Sequence, residues 1–158
     1  MDDIREIAAR FLANRMKTKH QMMKHLQTKN FADSEIAEIL REFEASGYLD
    51  DIEYAAVYIT HRIPKGYTFR RIGRELAELG ISKEQSEAGL ARFIEEQGYD
   101  PTTQELERGK EQAHKILGNT VVADKKQLAK AGRKLMALGY QSDTVYAILG
   151  EYMRGVKE

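Results

Sequence analysis

The sequence predicts an all-α protein in which three tandem three-helix repeats stack into an elongated, curved, solenoid-like rod. Three observations lead there. Helix-favouring residues dominate the 158 positions and prolines number only two, Pro64 and Pro101. Apolar residues recur at helical spacing, with neither Val/Thr-rich alternation nor an Asn-Gly hairpin signal between them. The same apolar pattern then returns in register along the chain, as in a helical repeat. A composition that is 32% charged and 42% hydrophobic favours several small cores in series over one thick core.

The first segment, DIREIAARFLANR, sets Ile4, Ile7, Ala8, Phe11 and Leu12 on one helix face. Thr18 is placed to cap a second helix carrying Met22, Met23 and Leu26. Asp33 or Ser34 is placed to cap a third, carrying Ile36, Ile39, Leu40 and Phe43. Superposing Leu26, Leu76 and Leu135 aligns the second and third helices of all three copies. Phe31, Ile81 and Tyr140 then coincide, as do Leu40, Leu90 and Leu149, and Phe43, Phe93 and Tyr152. Among the leading helices Ala8, Ala55 and Ala113 match, followed by Phe11, Tyr58 and Ile116, and by Leu12, Ile59 and Leu117. The expected units are 1–49, 50–99 and 100–158.

The stretch GYLDD at 47–51 reads as the hinge between the first two copies. Gly47 takes a left-handed conformation to end a helix, Tyr48 and Leu49 fold back as apolar contacts, and Asp50 caps the next helix. Asp51 and Glu53 complement the positive end of that helix dipole. Asp100, Pro101 and Thr102 are expected to play the same part before the third copy, with proline at an early helical position.

Twenty-five Lys and Arg balance twenty-five Asp and Glu, but the charges are segregated. Arg15, Lys17, Lys19, Lys24 and Lys29 share the 15–29 stretch without an acid. Arg62, Lys65, Arg70, Arg71 and Arg74 meet Glu75 alone, and Lys125, Lys126, Lys130, Arg133 and Lys134 meet Asp124 alone. The third helices are the reverse, with Asp33, Glu35, Glu38, Glu42 and Glu44 in the first and Glu84, Glu87, Glu95 and Glu96 in the second. If the second helices line one side of the stack, Lys24, Arg62, Lys65, Arg70, Arg71, Arg74, Lys130, Arg133 and Lys134 form a basic stripe for phosphates or an acidic protein groove. The plainer reading is a solvated face with local ion pairs worth about 0–1 kcal/mol each. Arg70, Arg71 and Arg74 weigh most, because the guanidinium fork grips phosphate or carboxylate with two bonds.

Catalytic constellations are missing from the sequence. His20, His25, His61 and His114 have no metal-ligand spacing, the Gly66–Gly73 segment is no phosphate loop, and no Ser, His and acid cluster can be argued. The absence of cysteine excludes a disulfide framework and fits a reducing compartment. No enzyme, cofactor or metal is expected. With no apolar run of roughly 18 residues and no charged-then-apolar leader, the expected location is cytoplasmic, with no membrane partner. Met22, Met23 and Met136 read as core fillers, and Tyr48, Tyr99 and Tyr140 as packing anchors at the ends of units.

The central block resembles the RecX family, bacterial modulators of the RecA recombinase. The residues that carry the likeness are GYLDD, then Tyr54 and Ala55, Arg62, Lys65-Gly66-Tyr67, Arg71-Ile72, Glu75-Leu76 and Gly80-Ile81, flanked by the tandem units. The resemblance implies a curved all-α protein that lies in the groove of the RecA filament on single-stranded DNA, and a monomer is expected. There it would restrain ATP hydrolysis, strand exchange and repressor cleavage, with the basic stripe facing filament acids or DNA phosphates. Glu53 stands where the family usually has arginine, and Thr68 where glycine is common. The chain starts close to its first helix, without the longer basic leader of some relatives, so weaker direct DNA affinity is expected. The alternatives are a helix-turn-helix-like DNA-binding protein, which should present a single base-reading helix, and a helical scaffold for another acidic protein.

Overall fold

A computed structural model describes residues 3–118 and 124–153. The outer ends of the first and third expected units, with residues 119–123, lie outside the described residues. Among those described, the regular structure is helical. In chain order the helices are α1 (Ile4–Leu12), α2 (Lys19–Thr28), α3 (Asp33–Ala45), α4 (Asp51–Arg62), α5 (Phe69–Glu78), α6 (Lys83–Gln97), α7 (Glu105–Leu117), α8 (Lys125–Leu138) and α9 (Ser142–Met153). A 3-10 turn at Ile63–Lys65 precedes α5. The all-α class read from the sequence holds.

The chain divides into two compact units, Met1–Ile59 with Gly73–Phe93, and Thr60–Ile72 with Ile94–Glu158. In the first, α1, α2 and α3 close around Ala8, Met22, Leu26, Ile36, Ile39, Leu40, Phe43 and Leu49. In the second, α7, α8 and α9 close around Ala113, Leu117, Ala131, Leu135, Leu138, Tyr140, Val145, Ile148 and Leu149. Small residues let helices approach closely. Within the first unit a Cβ on Gly89 of α6 would stand 2.6 Å from the Ala55 Cβ of α4. Within the second, a Cβ on Gly109 of α7 would stand 2.5 Å from Ile148 Cδ1 of α9.

Two of the sets that coincide in the sequence alignment share their burial completely. Ala8, Ala55 and Ala113 are 0% exposed, as are Leu26, Leu76 and Leu135. At Ala55 the close approach of α6 at Gly89 leaves no room for a longer side chain, whereas leucine fills the interior at the second set. The methionines and tyrosines behave less uniformly. Met22 is buried and Met23 packs against the first core, but Met136 is 52% exposed. Tyr140 is buried, whereas Tyr48 is 68% exposed and only rests its ring 5.6 Å from Phe43.

Gly47 adopts φ +81°, Leu49 is buried, and the amides of Tyr48 and Leu49 both bond the Phe43 carbonyl. Asp50 caps α4 by accepting from the Glu53 amide at 3.1 Å. Asp51 serves a different partner, accepting from the Lys19 amide at 2.9 Å, and Glu53 pairs with Arg92 at 2.9 Å. Two helix starts also differ from the sequence reading. The cap of α3 is Ala32, whose amide bonds Glu35 Oε1, so Asp33 is already helical. Asp100 accepts from the amide and hydroxyl of Thr102 to close a turn over 101–104, and α7 begins only at Glu105. Replacing Asp50 with alanine should cost about 1 kcal/mol by removing one capping bond. Chemical denaturation checks this, and an unchanged midpoint would remove the cap from the account.

Candidate functional site

Each cation is held by a helix whose apolar face fixes its direction. On α8, Leu128, Ala131, Leu135 and Leu138 turn toward the second core, which leaves Lys126, Lys130, Arg133 and Lys134 on the outer face. All four are exposed and α8 itself carries no carboxylate. Arg70 and Arg74, one turn apart on α5, are also exposed, as is Lys24 on α2.

Arg62, Lys65, Arg70 and Arg71 are more constrained than their sequence suggests. The Arg62 guanidinium lies 3.7 Å from the centre of the Tyr67 ring, a cation–π contact that holds it half-buried. Lys65 is exposed at the end of the 3-10 turn, which Gly66 terminates at φ +97°. Arg108 of α7 fastens this loop by donating from Nη2 to the carbonyls of Ile63 and Tyr67 at 2.8 and 2.9 Å. Arg70 Nη1 donates to the Gly139 carbonyl at 3.4 Å, and Arg71 is half-buried against Gly139. The structure therefore groups Lys130, Arg133 and Lys134, and separately Arg70 and Arg74. It uses Arg62 and Arg71 largely for packing.

A second feature escaped the sequence reading. Within the first unit, the start of α2 is seated against α4 and α5: Thr18 Oγ1 donates to the Leu79 carbonyl at 2.7 Å while the Lys19 amide donates to Asp51. Within the second, the start of α5 is seated against α7 and α8 in the same way. The Thr68 hydroxyl and amide both donate to the Leu138 carbonyl, at 3.3 and 3.0 Å, and the Phe69 amide donates to Glu105 Oε1 at 2.9 Å. Both threonines are buried and also cap their own helices, accepting from the amides of Gln21 and Arg71. Each seat is thus a carbonyl and a carboxylate that together satisfy the unpaired donors of a helix start. Thr68 completes the second seat.

Glycine makes room for it. A Cβ on Gly80 would collide with His20, and one on Gly139 with the Thr68 hydroxyl and, at 2.6 Å, with the Arg71 Cβ. The signal was legible in the alignment, where Thr18 pairs with Thr68 and Gly80 with Gly139. The set breaks at Asn30, which stands at the glycine position of α2, and at Gln127, which stands at the threonine position of α8.

Several ionisations are displaced. Burial pushes the His25 imidazole below its ordinary value, with Lys29 and Lys17 adding to the shift. Burial pushes the Asp51 carboxyl up, opposed by its bond from the Lys19 amide. The Tyr140 phenol, buried and donating to the Glu105 carbonyl at 2.9 Å, is pushed up to about 12. Among the described residues no group of three or more His, Asp or Glu side chains is arranged to hold a metal ion, and no helix is long and apolar enough to cross a membrane.

Fold and surface together define an all-helical protein of small three-helix clusters whose second helices carry exposed cations. Residues 5–43, which contain most of α1, all of α2 and most of α3, match the family model described as the first three-helix domain of RecX. A regulatory protein RecX of Bacillus licheniformis is 32% identical over 143 residues, covering 89% of this chain and 52% of the relative. One of Acidithiobacillus ferrooxidans is 26% identical over 144 residues, covering 91% and 87%. The crystal structure of RecX from Lactobacillus salivarius shares the fold with a TM-score of 0.72 at 17% identity, over 96% of this chain and 95% of that one. The chain is thus similar to regulatory RecX proteins over about nine tenths of its length. It spans about half the length of the first curated relatives it matches.

Proposed function

We propose that this protein regulates the RecA recombinase by binding its filament on single-stranded DNA, and that the net effect is inhibition of filament ATPase, strand exchange and co-protease activity. The observation that carries this reading is the similarity to regulatory RecX proteins over about nine tenths of the chain. Regulation of this kind needs no catalysis by the bound protein, because a ligand that prefers one filament state shifts the population toward it. In this proposal a cytoplasmic monomer acts through three units, 1–49, 50–99 and 100–158. The exposed cations Lys24, Lys65, Arg70, Arg74, Lys130, Arg133 and Lys134 face filament acids or DNA phosphates, while Arg62 and Arg71, half-buried, pack beside them. Repetition suits the task, since modest contacts at successive subunits add through effective concentration.

The test is a RecA ATPase assay on single-stranded DNA with substoichiometric amounts of this protein. Hydrolysis is expected to fall well before the two proteins are equimolar. Hydrolysis that stays constant up to equimolar protein would rule the reading out. A parallel salt titration separates the DNA-binding alternative: affinity for bare single strands should be weak and fall steeply with salt, while filament binding survives physiological ionic strength. Equal affinity for both would favour a DNA-binding protein.

A further inference from the structure

Within the first unit, the corner formed by the start of α4 and the end of α5 receives the start of α2, through Thr18 on the Leu79 carbonyl and the Lys19 amide on Asp51. By the same alignment Lys29 and Asn30 stand where Leu79 and Gly80 do, and they border an open cleft shared with the later part of α1 and the segment after it, through Phe11, Asn14, Arg15 and Lys17. We infer that this α1–α2 cleft is a docking site for an acidic segment of a partner protein, a site distinct from the cationic faces of α5 and α8. The inference does not depend on which protein is regulated.

Three observations argue for that occupant. First, basic side chains line the cleft, with Arg10 joining Arg15, Lys17 and Lys29, and none of the described lining residues is acidic. Such a concave, single-sign surface concentrates carboxylates. Second, Asn30 holds the position that Gly80 and Gly139 hold elsewhere, in the same left-handed conformation at φ +66°. Its Cβ occupies the space that lets His20 and Thr68 approach those glycines, so the cleft does not accept a helix start seated as closely as α2 or α5. Its seat is left for side chains, not for a packed helix terminus. Third, the Phe11 ring is already stacked on His25 at 3.9 Å and carries Lys17 at 4.6 Å from its centre. A ring engaged in this way offers little platform for nucleobases, whose stacking supplies much of single-strand affinity. Carboxylates reaching Arg15, Lys17 and Lys29 make use of what remains.

The experiment is calorimetric titration of the full chain with an unlabelled Asp/Glu-rich decapeptide and, separately, with oligothymidylate of equal charge. The peptide is expected to bind, and Arg15→Glu with Lys29→Glu should weaken it roughly tenfold or more. The charge-matched pair Lys83→Glu with Lys115→Glu, on exposed positions of α6 and α7, should leave peptide binding unchanged. Thermal melting of each double variant verifies that the fold is intact, and any loss is scored only against the charge-matched pair. Absence of peptide binding, equal loss in both double variants, or oligothymidylate binding with the same dependence on Arg15 and Lys29 would overturn the assignment, the last by making the cleft a nucleic-acid site.

Discussion

Replacing Gly139 with alanine should destabilise the protein by about 3 kcal/mol or more, lowering the melting temperature by roughly 10 °C. Two costs combine at this position. The backbone sits at φ +109°, where an L side chain pays about 1–2 kcal/mol. The added Cβ also meets the Thr68 hydroxyl and stands 2.6 Å from the Arg71 Cβ. Neither neighbour can retreat freely, because Thr68 is bonded to the Leu138 carbonyl by both its amide and its hydroxyl. Gly47 supplies the control. It shares the left-handed backbone at φ +81°, but a Cβ there meets nothing within 4 Å. Gly47→Ala should therefore cost only the conformational part, about 1–2 kcal/mol. Urea denaturation of the two variants separates the terms, and equal losses would show that the seating of α5 is not tight. A Thr68→Val variant keeps the volume while removing the hydroxyl, and should lose about 1–3 kcal/mol because the Arg71 amide is left without its capping acceptor.

Reversing Lys130, Arg133 and Lys134 to glutamate should weaken inhibition of RecA ATPase by an order of magnitude or more, with melting and helicity preserved. These side chains are the cleanest probes of the proposed surface. All are exposed on one helix, and the core contacts of α8 are made by Ala131, Leu135 and Leu138 on its other side. Arg70 is a poorer probe, since it also bonds the Gly139 carbonyl, and Arg62 poorer still, since it packs on Tyr67. Arg74→Glu, at an exposed position equivalent to Lys24 and Arg133, extends the test to α5. Inhibition that survives all four reversals would remove these cations from the mechanism and shift attention to other surfaces.

Much of the fold could be read before any coordinates existed. Ala8, Ala55 and Ala113, like Leu26, Leu76 and Leu135, were matched by spacing alone and proved equally buried. Periodic apolar residues must face a common interior whatever that interior contains, so such positions are local information. Caps were legible for the same reason where a single side chain serves its own helix, as with Thr18 and Asp50. They were misread at α3, which is closed by the Glu35 carboxylate on the Ala32 amide, and at α7, where Asp100 closes a separate turn and the helix begins only at Glu105.

The sequence by itself determined that this chain is helical, where its apolar faces lie, and that its cations concentrate on and beside the second helices. Only the tertiary structure decided which of those cations stand in solvent and which are spent on packing, because Arg71 and Arg108 meet partners far along the chain that no local pattern specifies, and Arg62 reaches Tyr67 only through the fold of the loop between them. The same holds for the seats of α2 and α5. A threonine hydroxyl bonded to a carbonyl 61 or 70 residues away depends on how helices converge, and helix convergence is set by the packing of side chains distant in sequence.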